Sequence, residues 1–286
     1  MTGPADFDRM EKLGHSLIQH GPANRRIYVM KADARDMPGL LGRLERLAGA
    51  NGYTKIFAKV PLGLAAAFEA DGYRREAVVP GMFRGREDAA FLGRYFSEER
   101  AREREAELIG EILRDAEGRA TPRAGALAAG LEFRELGPED AEAMSEVYRA
   151  VFPTYPFPIH DPDYLRRTMR THIRYFGVLE QKSLVAVSSA EMDREELNVE
   201  MTDFATLPAA RGAGLALHLL RRMEEAVREE GILTPFTIAR ALSRGMNITF
   251  ARAGYACGGT LTNNTQISGQ IESMNVWYKR WLSAGG

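Results

Sequence analysis

The stretch Thr206-Leu-Pro-Ala-Ala-Arg-Gly-Ala-Gly-Leu-Ala216 joins two bare glycines and an arginine to the start of an apolar helical stripe. Gly212 and Gly214 leave the backbone uncovered, so successive N–H groups can point at one anion, and the helix beginning there adds the positive end of its dipole. Such a turn suits a pyrophosphate. It lacks the Lys and following Ser or Thr of a nucleotide P-loop, and no acidic residue follows a Gly-x-Gly-x-x-Gly pattern as dinucleotide binding would require. Upstream stand Glu200 and Asp203, carboxylates able to take a proton from a reacting group. On a regular strand they face opposite sides, so only one reaches a reactant unless a bulge re-aims the chain. Metal chemistry is not expected: the lone Cys257 cannot build a thiolate site or an internal disulfide, and the five histidines have no ligand spacing.

These residues need a frame. In the second half, strands are predicted at Leu131–Leu136, Ile173–Leu179, Leu184–Met192, Asn198–Thr206, Phe236–Leu242, Tyr255–Leu261 and Met274–Lys279. A helix starts near Pro138, another runs from the Asp161-Pro162 cap to about Arg170, and a third ends at Ala253. A long amphipathic helix over Gly214–Glu230 buries Ala216, Leu219, Leu220, Met223 and Val227. In the first half, strands at Ile27–Lys31 and Thr54–Val60 flank a helix over Met37–Ala50. A helix at Leu62–Ala70 stopped by Gly72 and strands at Arg74–Val79 and Ala89–Tyr95 complete a compact unit. Between the halves, Ser97–Glu117 reads as a solvated helix of paired Glu and Arg, followed by a linker over Gly118–Gly130.

The 286 residues, 45% apolar and 27% charged, are enough for two cored domains. With 38 Lys and Arg against 39 Asp and Glu, the net charge of −1 argues against nucleic acid or a membrane surface as partner. The polar Met1–Lys12 predicts no signal peptide, and no apolar run approaches ~18 residues, so a cytoplasmic protein is expected. At an offset of 182 residues, Lys55–Tyr73 aligns without gaps on Thr237–Tyr255, matching Phe68 to Phe250, Gly72 to Gly254 and Tyr73 to Tyr255. Duplication or a shared packing solution would each give this pattern.

Pro208, Arg211, Gly214 and Ala216, in that order after a strand, resemble the acyl-CoA-binding Arg-x-x-Gly-x-Gly/Ala motif of the GNAT acetyltransferases. Leu131–Trp281 resembles that superfamily in the order of its elements. The stretches EMTDFATLPAARGAGLA, TIARALSRGMN and ESMNVWYK resemble the β-lysine N-acetyltransferase family more narrowly, as do KIFAKVP and Gly81–Tyr95 in the first half. The resemblance implies an α/β (α+β) fold: a GNAT-type mixed, mostly antiparallel twisted sheet flanked by helices over 131–286. A smaller amino-terminal α/β domain, residues 1–97, would be a degenerate GNAT-like half without a cofactor site, joined by 98–130. That half would serve packing, homodimerisation or lidding of the acceptor cleft. The implied reaction transfers acetyl from acetyl-CoA to the side-chain (ε) amine of β-lysine, giving the compatible solute Nε-acetyl-β-lysine. β-Lysine would come from an aminomutase. An acetyltransferase for a polyamine, another small amine or a protein lysine, and a non-catalytic acyl-CoA sensor, are the alternatives.

Such a transfer must deprotonate an ammonium, polarise a thioester carbonyl, align the reactants and release a thiolate. The resemblance implies a bulge near Glu200 and Asp203, with Glu200 the preferred base. It implies carbonyl polarisation by a backbone N–H among Ala205, Thr206 and Leu207, and cofactor contacts from Arg211, Gly212, Ala213, Gly214, Leu215 and Ala216. The leaving-group acid departs from the superfamily pattern. Phe250 stands where a tyrosine is usual and Ser243 where an asparagine is usual, with Asn247 one helical turn later as its replacement in cofactor binding. Tyr255 or Ser243 could substitute as acid, or water could protonate the thiolate. For a zwitterion with two amines, the acceptor candidates are Tyr155 in the loop Thr154–His160, with Glu191, Arg240, Asn263 and Asn264.

Overall fold

The computed structural model describes residues 8–120 and 129–281. Strands Arg9–Leu13 (β1), Ser16–Gly21 (β2) and Arg26–Lys31 (β3) lead into helix Gly39–Asn51 (α1) and strand Lys55–Pro61 (β4). Helix Leu62–Ala70 (α2) and strands Arg74–Phe83 (β5) and Glu87–Tyr95 (β6) close the first half. Two short helices, Glu98–Ala101 (α3) and Ala106–Gly118 (α4), connect it to strand Leu131–Leu136 (β7), helices Ala141–Val151 (α5) and Pro162–Met169 (α6), and strands Ile173–Glu180 (β8), Ser183–Asp193 (β9) and Asn198–Thr206 (β10). Helix Leu215–Arg228 (α7), strand Thr234–Arg240 (β11), helix Arg244–Arg252 (α8) and strands Ala256–Ile267 (β12) and Gln270–Tyr278 (β13) complete the chain.

All thirteen strands form one sheet, in the order β1-β2-β3-β4-β6-β5-β12-β13-β11-β10-β9-β8-β7. Only β3–β4 and β10–β11 run parallel, each pair bridged by a crossover helix, so the sheet is mixed and mostly antiparallel as expected. With β1–β6 taken as counterparts of β8–β13, the order reads the same from β1 to β8 as from β8 to β1. The repeat is a pseudo-twofold structural one, and its register agrees. Lys55 pairs with Tyr95 and Thr237 with Trp277, the same positions at the 182-residue offset. Phe68 meets Tyr73 edge-on at 5.0 Å between ring centres, and Phe250 meets Tyr255 the same way at 5.4 Å. Gly72 and Gly254, at φ 87° and 85°, supply the left-handed turn between each pair of rings.

The halves join along an edge and across a face. At the edge, Gly259 of β12 pairs with Ala77 of β5. Across the face, Tyr28 stacks on Phe57 and Phe57 on Phe91, whose ring meets Phe236 edge-on, within a core shared with Val79, Leu261, Met274 and Val276. Helices α1 and α2 cover the opposite face of the first half, through Leu40, Leu44 and Phe68. In the second half α7 and α8 cover one face, and α5 and α6 cover β8–β10 on the other.

Two differences from the sequence reading stand out. β1 and β2 were not expected, because their polar residues hide the alternation of a half-buried hairpin. The single charged helix is broken into α3 and α4: buried Arg100 of α3 donates to backbone oxygens of Asn24 and Asn263, and Ile109, Ile112 and Ala116 of α4 are buried. Most of the expected linker, residues 121–128, lies outside the described residues. Among the described residues no helix is long and apolar enough to cross a membrane.

Candidate active site

β10 pairs with β11 only from Asn198 to Glu200, and beyond that the two strands separate. Along β10, Val199 and Met201 enter the core under α7, so Glu200 and Thr202 face the other way. Regular alternation would bury Asp203 with Met201. Instead the register against β9 shifts between Thr202 and Ala205, and Asp203 adopts φ 56°. This bulge turns Asp203 onto the face of Glu200, and Ala205 after it faces α5. Both carboxylates therefore line one cavity of about 120 Å³.

The cavity lies where the core under α5 and α6 meets the core between the halves. The second half contributes Tyr155, Tyr164, Tyr175, Glu191, Glu200, Asp203, Asn264 and Thr265, and the first half Gln19, Arg26, Tyr28, Phe57 and Lys59. Three carboxyl groups face the two cations Arg26 and Lys59, so the cavity carries one excess negative charge only when all three are ionised. Burial, reinforced by nearby Glu191, pushes Glu200 up to about 8, although Lys59 opposes the shift. Burial also raises Asp203, against hydrogen bonds from the Ser189 hydroxyl at 2.6 Å and the Tyr155 hydroxyl. Burial works against the Lys59 ammonium, but Tyr28, Glu200 and Glu191 outweigh it and hold its pKa above the usual lysine range. Arg26, pushed down to about 10 by burial, remains a cation at neutral pH.

At the end of β10 the Leu207 N–H donates to Val185 O at 2.9 Å. Alternate residues of an antiparallel ladder bond to the same neighbour, so the intervening Thr206 N–H points into the gap between β10 and β11. There it can meet a thioester oxygen, a role the bond to Val185 denies to Leu207. Gly212 and Gly214 take φ of 85° and 72°, and a Cβ at either would meet nothing within 4 Å. The N–H groups of residues 212–216 donate to nothing among the described residues, and Arg211, exposed beside them, bonds Thr206 O at 3.2 Å. This open nest at the start of a fourteen-residue helix fits a pyrophosphate in shape and charge. The corresponding turn before α1 has no such cradle. It carries Asp33 and Asp36, with Asp36 accepting from the Ser16 and His15 N–H groups.

Several expected site residues lie elsewhere. Asn247 is fully buried, donates to the backbone oxygens of Arg240, Ala241 and Ser243, and accepts from Asn275 and Trp277. Its polar atoms are spent on holding the β11–α8 corner and none is left for a cofactor. Tyr255 packs on Phe250 in the core under α7, away from the cavity, and burial raises its pKa well above the usual value. Its place in that core, outside the cavity lining, argues against a role as proton donor. Arg240 is closed in a two-point ion pair with Glu272, at 2.6 and 2.9 Å. Asn263 donates to backbone oxygens of Arg100 and Arg102, on the side of a separate, wider cavity of about 510 Å³ lined by the 97–105 segment. Tyr155, Glu191 and Asn264 do line the acceptor cavity. Sequence reasoning missed Gln19, Arg26 and Lys59. For the two cations the signal was a basic residue in a strand of mostly apolar residues, Arg26 opening RIYVMK and Lys59 within KIFAKVP; Gln19 leaves no such mark.

Residues 141–255 match the model of the acetyltransferase (GNAT) family. The chain is 36% identical over 96% of its length, and 99% of the relative's, to the beta-lysine N(6)-acetyltransferase of Methanococcus maripaludis. It is 30% identical to the protein of the same name from Methanosarcina mazei, over 83% of this chain and 95% of that one. It is 31% identical to the N-acetyltransferase YodP of Bacillus subtilis, over 93% and 96% of the two chains.

Proposed function

Since the chain belongs to the β-lysine N(6)-acetyltransferase family of GNAT acetyltransferases, we propose that it carries acetyl from acetyl-CoA directly to the side-chain amine of β-lysine. The observation that carries the reading is the gathering of Glu191, Glu200 and Asp203 in one cavity, beside the gap that the pyrophosphate turn overlooks. Three carboxyl groups beside two cations, carrying one excess negative charge once Glu200 ionises against a bound ammonium, suit an acceptor with two ammonium groups and one carboxylate.

Acetyl-CoA supplies the activated acetyl group, and its thiol, with a pKa of roughly 8.5, leaves without a strong acid. The nest at 212–216 with Arg211 would hold the pyrophosphate, and the Thr206 N–H would polarise the thioester oxygen. Glu200 would accept the proton that the acceptor ammonium must lose before its nitrogen lone pair can attack. A pKa of about 8 places this carboxyl between solvent and an alkylammonium, so it both takes the proton and releases it. Asp203, fixed by Tyr155 and Ser189, would hold the ammonium in line. Glu200 passes that first proton to solvent; as the new N–C bond forms and the C–S bond breaks, the second nitrogen proton goes to Glu200 and the thiolate takes one proton from solvent, so each turnover releases one proton. The product has one ammonium and one carboxylate and hence no net charge, as suits a compatible solute, and the reaction belongs in the cytoplasm, where acetyl-CoA is made.

Thiol release from acetyl-CoA, followed with β-lysine, α-lysine, spermidine or no acceptor, tests the reading. Release is expected to be fastest with β-lysine. Release with spermidine alone overturns the acceptor, and acetyl-CoA binding without acceptor-dependent release with any of them makes the protein a sensor.

A further inference from the structure

Three side chains lining the acceptor cavity carry a polar atom with no partner among the described residues: Gln19 Nε2, Arg26 Nε and Asn264 Oδ1. They are buried to 2%, 4% and 1% exposure. An unpaired buried donor or acceptor costs about 1–3 kcal/mol, and more on a charged group, so two donors and one acceptor at one wall of one cavity mark a place where a ligand completes the bonding. Arg26 is the telling member. Its Nη1 donates to the Asn264 backbone oxygen at 2.5 Å and to the Thr265 hydroxyl at 3.2 Å, and its guanidinium lies over the Tyr28 and Phe57 rings. No carboxylate of the described chain pairs with it. Arg100 is the contrast: also buried, it spends its donors on Asn263 O, Asn24 O and the Thr54 hydroxyl. Gln19 stands opposite Tyr28 in the β2–β3 register, on the same face as Arg26 two residues away, so both reach the cavity from one side.

Resting on the β-lysine reading, we infer that Arg26 and Gln19, from the half without a cofactor turn, receive the acceptor's carboxylate, while the Asn264 side-chain oxygen receives the neighbouring ammonium. Anchoring that end leaves the distal, side-chain amine to Glu200 and Asp203. The first half is thereby a specificity element. It separates an amino acid from a diamine of similar reach, which brings no anion to a buried guanidinium.

The test compares β-lysine with 1,4-diaminopentane, the same molecule without its carboxylate, in the wild type and in Arg26→Gln and Gln19→Leu. Wild type is expected to favour β-lysine in kcat/KM by about 10⁴- to 10⁵-fold, the scale on which sites built around a polar partner reject an analogue lacking it. Arg26→Gln is expected to remove most of that preference, lowering kcat/KM for β-lysine while changing that for the diamine less than about threefold; Gln19→Leu is expected to raise KM for β-lysine alone. Calorimetric titration of β-lysine into the same proteins without acetyl-CoA should show the same loss of affinity. Equal losses on both acceptors, or none on either, overturn the inference. Should Arg26→Gln not fold, Gln19→Leu decides, since its Nε2 bonds nothing in the fold, and an unchanged KM for β-lysine refutes the site. A wild type that acetylates both acceptors equally well overturns the carboxylate site alone. One that acetylates neither overturns the functional reading and this inference with it.

Discussion

Glu200 couples activity to stability through one proton. Because burial raises its pKa to about 8, the folded protein holds a proton there that the unfolded chain has released from about pH 4.5 upward. Stability therefore falls as pH rises between those values, and Glu200→Gln is expected to be more thermostable than wild type by a margin that widens from pH 6 to pH 9 in melting scans. The same variant should lose about 10²- to 10⁴-fold in kcat. The wild-type kcat/KM should climb through about pH 8, and kcat should climb at lower pH, because a bound ammonium favours the carboxylate. Tyr255→Phe, by contrast, should keep its thiol-release rate within about twofold, since that ring faces the core. At this scale residue type alone points to the cavity carboxylates, whereas a partner supplied by another element hides from the sequence. Glu191, Glu200 and Asp203 share a strand pair, and their charge announces them. Arg240 and Asn247 look equally available until Glu272, Asn275 and Trp277 are placed beside them by β13.

The turn into α7 separates cofactor binding from folding. A side chain at Gly214 meets no neighbour and costs only the strain of a positive φ, about 1–2 kcal/mol, yet it projects into the space over the free N–H groups. Gly214→Glu is thus expected to melt within a few degrees of wild type and to bind acetyl-CoA at least about 10²-fold more weakly by calorimetry. The α8 corner behaves in the opposite way. Asn247→Ala strands two buried donors and several carbonyls, so it should lose about 2–4 kcal/mol in denaturant unfolding, while its folded fraction binds acetyl-CoA normally. Elements bounded by a proline or a glycine, such as α2 between Pro61 and Gly72 and β10 just before Pro208, were legible to the residue. β1 and β2 were not, because RMEKL and SLIQHG bury glutamine and histidine where alternation should place apolar residues. The bulge at Asp203 was expected from resemblance and leaves no mark in the pattern of residues itself.

For the whole molecule, the seam between β5 and β12 decides whether the halves can part. A Cβ on Gly259 would come within 2.1 Å of Glu76 O, and its φ of 141° is open to glycine alone. Gly259→Ala should therefore cost about 2–5 kcal/mol, from close contact and backbone strain together. The shared core of Tyr28, Phe57, Phe91 and Phe236 should make wild-type unfolding a single transition, with fluorescence and circular dichroism curves that coincide. The repeat was half-visible in sequence as nineteen aligned residues; the mirrored strand order that makes it a pseudo-twofold depends on pairings across more than a hundred residues. That arrangement also bears on how the enzyme behaves when scarce. A pocket walled by two separate chains would empty of its partner by mass action as protein is diluted. Here both walls travel on one polypeptide, so activity per milligram should stay level on serial dilution, and each chain should take up a single cofactor with a simple hyperbolic isotherm.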